Sequence, residues 1–166
     1  MKKLLLLSVL FLFSAMLTLL GSTLSVRQNR DLDQDIRNRF VGAWRLAGLE
    51  EEGADGRTHR VDCTGMLVFT SDGHMSVQVM YRNPQAGTAA GPVQYAQGGY
   101  EASFGTYEID ERARTFTYHV EGALVHSLIG KHLTRVYEFS GKQLIVKSSS
   151  PNEHWRVAWE LEETSR

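Results

Sequence analysis

The sequence contains very little cysteine, and this shortage limits how the fold can be held together. Among 166 residues the single cysteine is Cys63, so the chain cannot form an internal disulfide. A domain of this size must then be stabilised by its hydrophobic core, and we expect Cys63 to be an inert, buried thiol.

An excess of charge of one sign is also missing. The chain has 18 Lys and Arg residues against 19 Asp and Glu residues. Binding to nucleic acid or to an anionic surface is usually accompanied by a clear basic excess. The composition therefore indicates no nucleic acid partner.

Charge is absent altogether from residues 4–20, which follow the basic start Met1-Lys2-Lys3. A basic start with a long apolar run is typical of an export signal, although the run also approaches the length of a membrane-spanning helix. We interpret residues 1–25 as a signal peptide or an N-terminal anchor. The sequence thus predicts an exported protein, periplasmic or secreted, which contacts the membrane only if residues 4–20 stay uncleaved and anchor it.

The next segment, residues 26–39, is polar and is predicted to be a linker that leads into a short helix. Leu32, Ile36 and Phe40 recur there at helical spacing. Beyond them the apolar pattern has a period of two, which is typical of β-strands. We therefore predict one β domain over residues 40–163.

Alternation of strands with helices is missing from this domain, and this excludes a parallel sheet. The chain instead shows eight or nine alternating runs joined mostly by tight turns. Closing such a meander removes its two exposed edges, and about eight strands enclose room for one small ligand. We predict an all-β fold, an antiparallel up-and-down barrel of about 8–9 strands with a short N-terminal helix. The one long connection, Asn83–Gly99, is either a lid over the barrel mouth or a simple connection.

The first strand, AWRLAGLEEE, alternates so that Trp44 and Leu46 share one face while Arg45 and Leu49 share the other. Barrel closure places the last strand beside the first. We expect Arg156 of the last strand to stack on Trp44, which gives both residues a structural role.

Four segments occur in an order and spacing that resemble a known family. They are GAWRL, GMLVFTSDGHMSVQVM, YEASFGTYEIDERARTFTYHVEG and RVYEFSGKQLIV. Together they resemble the lipocalin-like domain family, small calycin-type β-barrel proteins that are mostly bacterial and fungal. The resemblance covers about Gly42 to Trp159 and implies a lipocalin-like barrel in which Trp44 plugs the closed end.

The hairpin around Asp110 indicates which face of its strands lines the lumen. Apolar residues meet each other if the register pairs Ile109 with Phe116, Tyr107 with Tyr118 and Gly105 with Val120. The predicted ligand-binding wall combines this face with the apolar face of an earlier strand: Tyr107, Phe116, Tyr118, Val120, Met75, Val77 and Tyr81.

His119 and Glu121 fall on the other face of the same strand. If the apolar face lines the lumen, they belong to a solvated surface. If the polar face lines it, they and Arg135 could hold ligand oxygens or transfer protons, which makes His119 and Glu121 the candidate catalytic residues. A zinc site needs three or four convergent ligands and this strand supplies two, so we expect no metal and no other cofactor.

These patterns favour an exported barrel protein that binds or carries a small apolar or amphipathic ligand in its lumen, since such pockets are mostly apolar with few polar groups. The alternative is a barrel enzyme of the isomerase, cyclase or dehydratase type, with His119 and Glu121 as acid and base.

Overall fold

The computed structural model describes residues 35–53, 55–83 and 96–163. The chain divides into one unit up to Arg39 and a second from Phe40 onward, and residues 35–40 are helical. The predicted signal peptide or anchor, residues 1–25, and most of the long connection lie outside the described residues. No described helix is both long and apolar enough to span a membrane.

The second unit is an antiparallel barrel, as the alternating runs predicted. Its strands follow one another around the sheet, and β1 pairs with the last strand, β9, to close it. An additional short strand, β2, pairs with the end of β1 beside the closed ring of the other eight. The strands are β1 (Gly42–Glu52), β2 (Thr58–Val61), β3 (Cys63–Phe69), β4 (His74–Tyr81), β5 (Tyr100–Asp110), β6 (Thr115–Ala123), β7 (His132–Ser140), β8 (Gln143–Ser148) and β9 (Trp155–Leu161).

The register of the β5–β6 hairpin confirms the predicted pairing. Ile109 lies opposite Phe116, Tyr107 opposite Tyr118, and Gly105 opposite Val120. Beyond that point the register shifts between Phe104 and Gly105, which leaves Glu121 without a partner on β5. A bulge of this kind bends the strand and ends the simple alternation.

A second irregularity interrupts β1 where it pairs with β9. Leu46 lies opposite Trp159 and Gly48 opposite Ala158, so Ala47 is the extra residue. Residues on either side of the bulge therefore differ in phase, and Leu49 faces the barrel interior together with Leu46. The predicted placement of Leu49 on the face opposite Leu46 is wrong, because simple alternation cannot anticipate a bulge.

One end of the barrel is closed by a cluster of aromatic side chains, here called the aromatic plug. Phe40 is completely buried at its centre, with five rings whose centroids lie 4.9–6.3 Å away. Trp44 fixes this arrangement because its indole Nε1 donates a hydrogen bond of 2.7 Å to the carbonyl oxygen of Phe40. The plug comprises Phe40, Trp44, Phe69, Tyr107, Phe116, Tyr137 and Phe139.

The β1–β9 register corrects the role expected for Arg156. Trp44 lies opposite Leu161, whereas Arg156 lies opposite Glu50, and the Arg156 Nη1 atom is 3.6 Å from the Glu50 carboxylate. Arg156 is therefore at the other end of the strand pair from Trp44, and it makes a partly exposed ion pair instead of a stacking contact. Such a pair adds little stability.

Candidate binding site in the barrel lumen

A cavity of about 90 Å³ lies inside the barrel, between the aromatic plug and the opposite ends of the strands, here called the rim. Its wall is mainly aliphatic and aromatic, with a few polar side chains. The lining residues are Leu46, Leu49, Leu67, Met75, Val77, Val79, Tyr81, Glu101, Ser103, Phe116, Tyr118, Leu128, Leu133, Arg135, Val146, Trp155, Val157 and Trp159. Mostly apolar walls with few polar groups are typical of small-molecule sites.

Five of the seven residues predicted to form the ligand-binding wall line this cavity: Met75, Val77, Tyr81, Phe116 and Tyr118. Tyr107 lies within the plug, where its hydroxyl donates to the carbonyl oxygen of Thr70 at 3.0 Å. Val120 is buried but is not part of the cavity wall. Tyr107 and Val120 therefore do not line the cavity. Ligand binding by the other five residues stays a prediction.

Glu101 places a carboxyl group in this mainly apolar wall. It is the second residue of β5, opposite Val79 and in phase with Ser103, so its carboxyl group faces the cavity. Burial raises the pKa of Glu101 to about 7, and the positive charge of Arg135 offsets this only in part. Within the described residues no hydrogen bond or ion pair is formed by this carboxyl group.

Arg135 contributes a positive charge to the same wall, and that charge already has protein partners. Its Nη1 atom lies 3.9 Å from the Glu153 carboxylate and donates to the carbonyl oxygen of Thr134 at 3.2 Å. The guanidinium group also lies 5.0 Å from the centre of the Trp155 ring. Glu153 in turn accepts hydrogen bonds from Ser148 Oγ at 2.8 Å and Trp155 Nε1 at 3.1 Å. The stacked, ion-paired guanidinium is therefore held in place.

The hydroxyl group of Tyr118 is buried in the same region. Tyr118 is 5 % exposed, and burial raises its pKa to about 12. The nearby Ser103 side chain lowers this pKa but offsets the effect of burial only in part. Even so, the hydroxyl reaches no described residue in acceptable hydrogen-bond geometry. A buried hydroxyl without a partner costs about 1–3 kcal/mol, which a ligand that hydrogen-bonds to it would recover.

A second carboxyl group, the buried one of Glu51, lies at the rim. Glu51 is 3 % exposed, and the Tyr81 hydroxyl donates to its Oε1 atom at a long 3.5 Å. Burial raises the pKa of Glu51 to about 7, which the hydrogen bond from Tyr81 counteracts only weakly. The bulge at Ala47 is what turns this residue of the LEEE segment inward.

We expect Glu51→Gln to reduce the loss of stability at higher pH. The pKa of Glu51 is about 7 in the folded protein against an ordinary value of 4.5, so between these values the folded state holds a proton that the unfolded chain has released. Stability contributed by this group falls as the pH rises through that window. Relative to wild type, the variant should gain about 1–3 kcal/mol on going from about pH 5 to about pH 8, as measured by urea unfolding.

The matched control is Glu50→Gln, which changes the adjacent, half-exposed carboxylate on the outer face. It should follow the wild-type pH dependence. A Glu51→Gln variant whose stability parallels that of wild type from about pH 5 to about pH 8 would show that the Glu51 carboxyl is not held in its protonated form.

The candidate catalytic residues His119 and Glu121 lie on the outer face of the barrel. His119 is opposite Thr106 on one side and His132 on the other, and the two imidazole Nδ1 atoms are 2.5 Å apart. Glu121 is the exposed extra residue of the β5–β6 bulge. The lumen therefore does not contain this pair, because the register that brings the apolar residues inward turns His119 outward. Among the described residues no three metal-binding side chains converge.

Sequence reasoning missed both Glu51 and Glu101, although for Glu101 the strand pattern contained a signal. Extending the predicted β5–β6 register back from Tyr107 in steps of two places Gly105, Ser103 and Glu101 on the lumen face. For Glu51 the extrapolation fails, since the bulge lies between it and Trp44.

Comparison with known families agrees with this architecture. The family model described as the lipocalin-like domain matches residues 41–162. The chain belongs to the lipocalin-like domain family. This membership confirms the resemblance carried by the four sequence segments, and a lipocalin-like barrel supports a binding role in general terms.

Other comparisons add only similarity. No curated protein matches the chain. A crystal structure of an uncharacterized protein from Bacteroides eggerthii aligns with a TM-score of 0.44 and 13% identity, covering 74% of this chain and 99% of that one. A redesigned β-barrel aligns with a TM-score of 0.42 and 13% identity, covering 76% of this chain and 95% of its own.

Proposed function

We propose that this lipocalin-like protein binds a small amphipathic molecule in its barrel lumen. The observation that carries the proposal is the cavity itself, whose apolar wall contains the unpartnered Glu101 carboxyl group and the buried Tyr118 hydroxyl. In a purely structural core these two groups would lose their hydration and gain no hydrogen bond in exchange. A ligand with an apolar part and a hydrogen-bonding end would satisfy both the wall and the polar groups.

The size of the cavity supports a small ligand. An apolar cavity of roughly 150 Å³ holds benzene, and the lumen here offers about 90 Å³. An alkyl chain of about four carbons is therefore a suitable first probe of the apolar wall. Its polar end would lie beside Glu101, Ser103 and Tyr118.

We further propose that the protein acts outside the cytoplasm, periplasmic or secreted, on the strength of the charge-free run at residues 4–20. The alternative of a barrel enzyme with His119 and Glu121 as acid and base has no support from the geometry, because neither side chain reaches the cavity. A carrier or binding role fits the lumen better.

Filling the lumen should weaken binding. Val77→Phe adds bulk to the cavity wall, so the affinity for butan-1-ol, measured by NMR titration of the purified protein, should fall by about tenfold or more, the equivalent of about 1.4 kcal/mol. Gln78→Phe introduces the same ring at the next residue, which is exposed on the outer face, and should leave the affinity unchanged.

Leu133→Phe, across the cavity from β4, provides a second test if Val77→Phe fails to fold. Native mass spectrometry of the wild-type protein checks for a small molecule that co-purifies. Equal affinity of wild type and both lumen variants for butan-1-ol, or no binding of the alcohol by any of them, would contradict a binding site in the lumen.

A further inference from the structure

We infer that the ligand of the lumen carries a protonated amine, which binds beside Glu101 and hydrogen-bonds to Tyr118. This inference rests on the proposed lumen site and specifies the chemistry of its ligand. Three observations carry it: the polar atoms left without partners, the balance of charge around the cavity, and the number of donors that the site can accept.

The unpartnered polar atoms in the wall are mainly acceptors. The Glu101 carboxyl group faces the cavity, and among the described residues nothing donates a hydrogen bond to it. The oxygen of Tyr118, a residue that is only 5 % exposed, is also without a partner in the described part of the chain. Ser103, 7 % exposed, lies on the same face as Glu101 and lines the same cavity. Together they offer oxygen atoms to a donor-rich group.

The balance of charge around Glu101 disfavours an anionic ligand. The titratable groups that interact electrostatically with Glu101 are Arg135 on β7, Tyr118 on β6 and Tyr81 on β4. Tyr81 in turn contacts the buried carboxyl group of Glu51. Arg135 is the one cation of this group, and it already has the Glu153 carboxylate at 3.9 Å. A ligand carboxylate would therefore meet the Glu101 carboxyl group in the cavity wall and a cation that is already paired.

An ammonium group suits this arrangement because it has three donors and no acceptor. One donor can reach the Glu101 carboxylate, and the others can reach the oxygens of Tyr118 and Ser103. Pairing of opposite charges in a desolvated site is favourable only when hydrogen bonds satisfy the remaining donors. A neutral alcohol fills the same space but lacks the charge and two of the donors.

Amine binding should also depend on pH in a defined direction. Since burial raises the pKa of Glu101 to about 7 in the free protein, the carboxyl group must release its proton before it can pair with an ammonium group. Affinity for an amine should rise by up to about tenfold per pH unit below pH 7 and then level off until the amine itself loses its proton. Glu51, which titrates in the same window, adds to this rise if it also senses the ligand charge.

The test compares butylamine, butan-1-ol and butanoate, which share one alkyl chain. NMR titration of the purified protein at about pH 5.5 and about pH 8 should show butylamine binding about tenfold tighter than butan-1-ol at the higher pH only, with butanoate the weakest. Glu101→Gln should remove the preference for the amine, so that butylamine binds to the variant no tighter than butan-1-ol does at either pH. Glu108→Gln, on the outer face of the same strand and 83% exposed, should behave as wild type.

Two other outcomes separate this inference from the proposed function. If butan-1-ol or butanoate binds to wild type as tightly as butylamine at about pH 8, or if Glu101→Gln keeps the preference for the amine, the ammonium inference is wrong while the lumen site stands. If none of the three compounds binds, the lumen site itself fails and the inference with it.

Discussion

Phe40→Ala is expected to lower the free energy of unfolding by about 3–5 kcal/mol, the range found when large aromatic residues are removed from a core. Phe40 is fully buried at the centre of the aromatic plug, so the substitution leaves a cavity among five rings that belong to four strands. Edge-to-face contacts such as those with Phe69 and Tyr137 are lost in addition to the buried area. Urea unfolding followed by tryptophan fluorescence measures the effect, since Trp44 lies in the same cluster.

The control for this substitution is Phe104→Ala. Phe104 lies on β5 with 58% of its surface exposed, and its ring covers Gly122 on the outer face. The cost there should be about 1 kcal/mol or less. Similar losses for Phe40 and Phe104 would mean that the closed end of the barrel is not held by the plug.

Much of the barrel could be predicted from the sequence because local patterning and strand pairing agree along most of it. In the β5–β6 hairpin the match of Ile109 with Phe116 and of Tyr107 with Tyr118 is enough to choose the register, since a slip of one residue would turn every side chain to the other face. The same argument places His119 outside. Family resemblance and alternation point independently to a closed barrel.

The candidate site was harder to predict because its key residues depend on irregularities and on tertiary proximity. Glu51 sits in a run of acidic residues that looks solvated, and only the bulge at Ala47 turns it inward. Arg135 meets Trp155 because β7, β8 and β9 are adjacent, whereas Arg156 and Trp44 are kept apart by the register of β1 and β9. Bulges and offsets of this kind leave no periodic signal in a sequence.

The polar groups in the cavity wall and at the rim have a cost in stability, which the proposed ligand would offset. Glu51 and Glu101 are both desolvated enough to hold protons near neutral pH, and the Tyr118 hydroxyl is buried without a partner among the described residues. Apolar residues of similar volume would give a more stable core at these positions. The presence of such groups in and beside an internal cavity therefore supports the proposal that the lumen binds a small molecule.

Gly105→Ala is expected to destabilise the barrel by about 3 kcal/mol or more, because the clash that it creates involves backbone atoms. A methyl group at Gly105 would lie 2.0 Å from the carbonyl oxygen of His119 and 2.9 Å from the amide nitrogen of Glu121. Neither atom can rotate away, so β5 and β6 must separate beside their bulge, and overpacking that shifts the backbone costs more than the usual ~1–3 kcal/mol. The same shift would displace Ser103 and Tyr118 in the cavity wall and weaken the binding of butan-1-ol.

The matched control is Gly48→Ala, since Gly48 also follows a bulge and also lacks a positive φ angle. The nearest atom to a methyl group there is Nη2 of the Arg60 side chain at 3.6 Å, an ordinary contact with a flexible group. Its effect on the free energy of unfolding should stay within about 0.5 kcal/mol. Urea unfolding of both variants measures the two effects. If Gly105→Ala costs as little as Gly48→Ala, β5 and β6 are not in the tight register that the structure shows. That register is what places His119 outside the barrel and Tyr118 inside it.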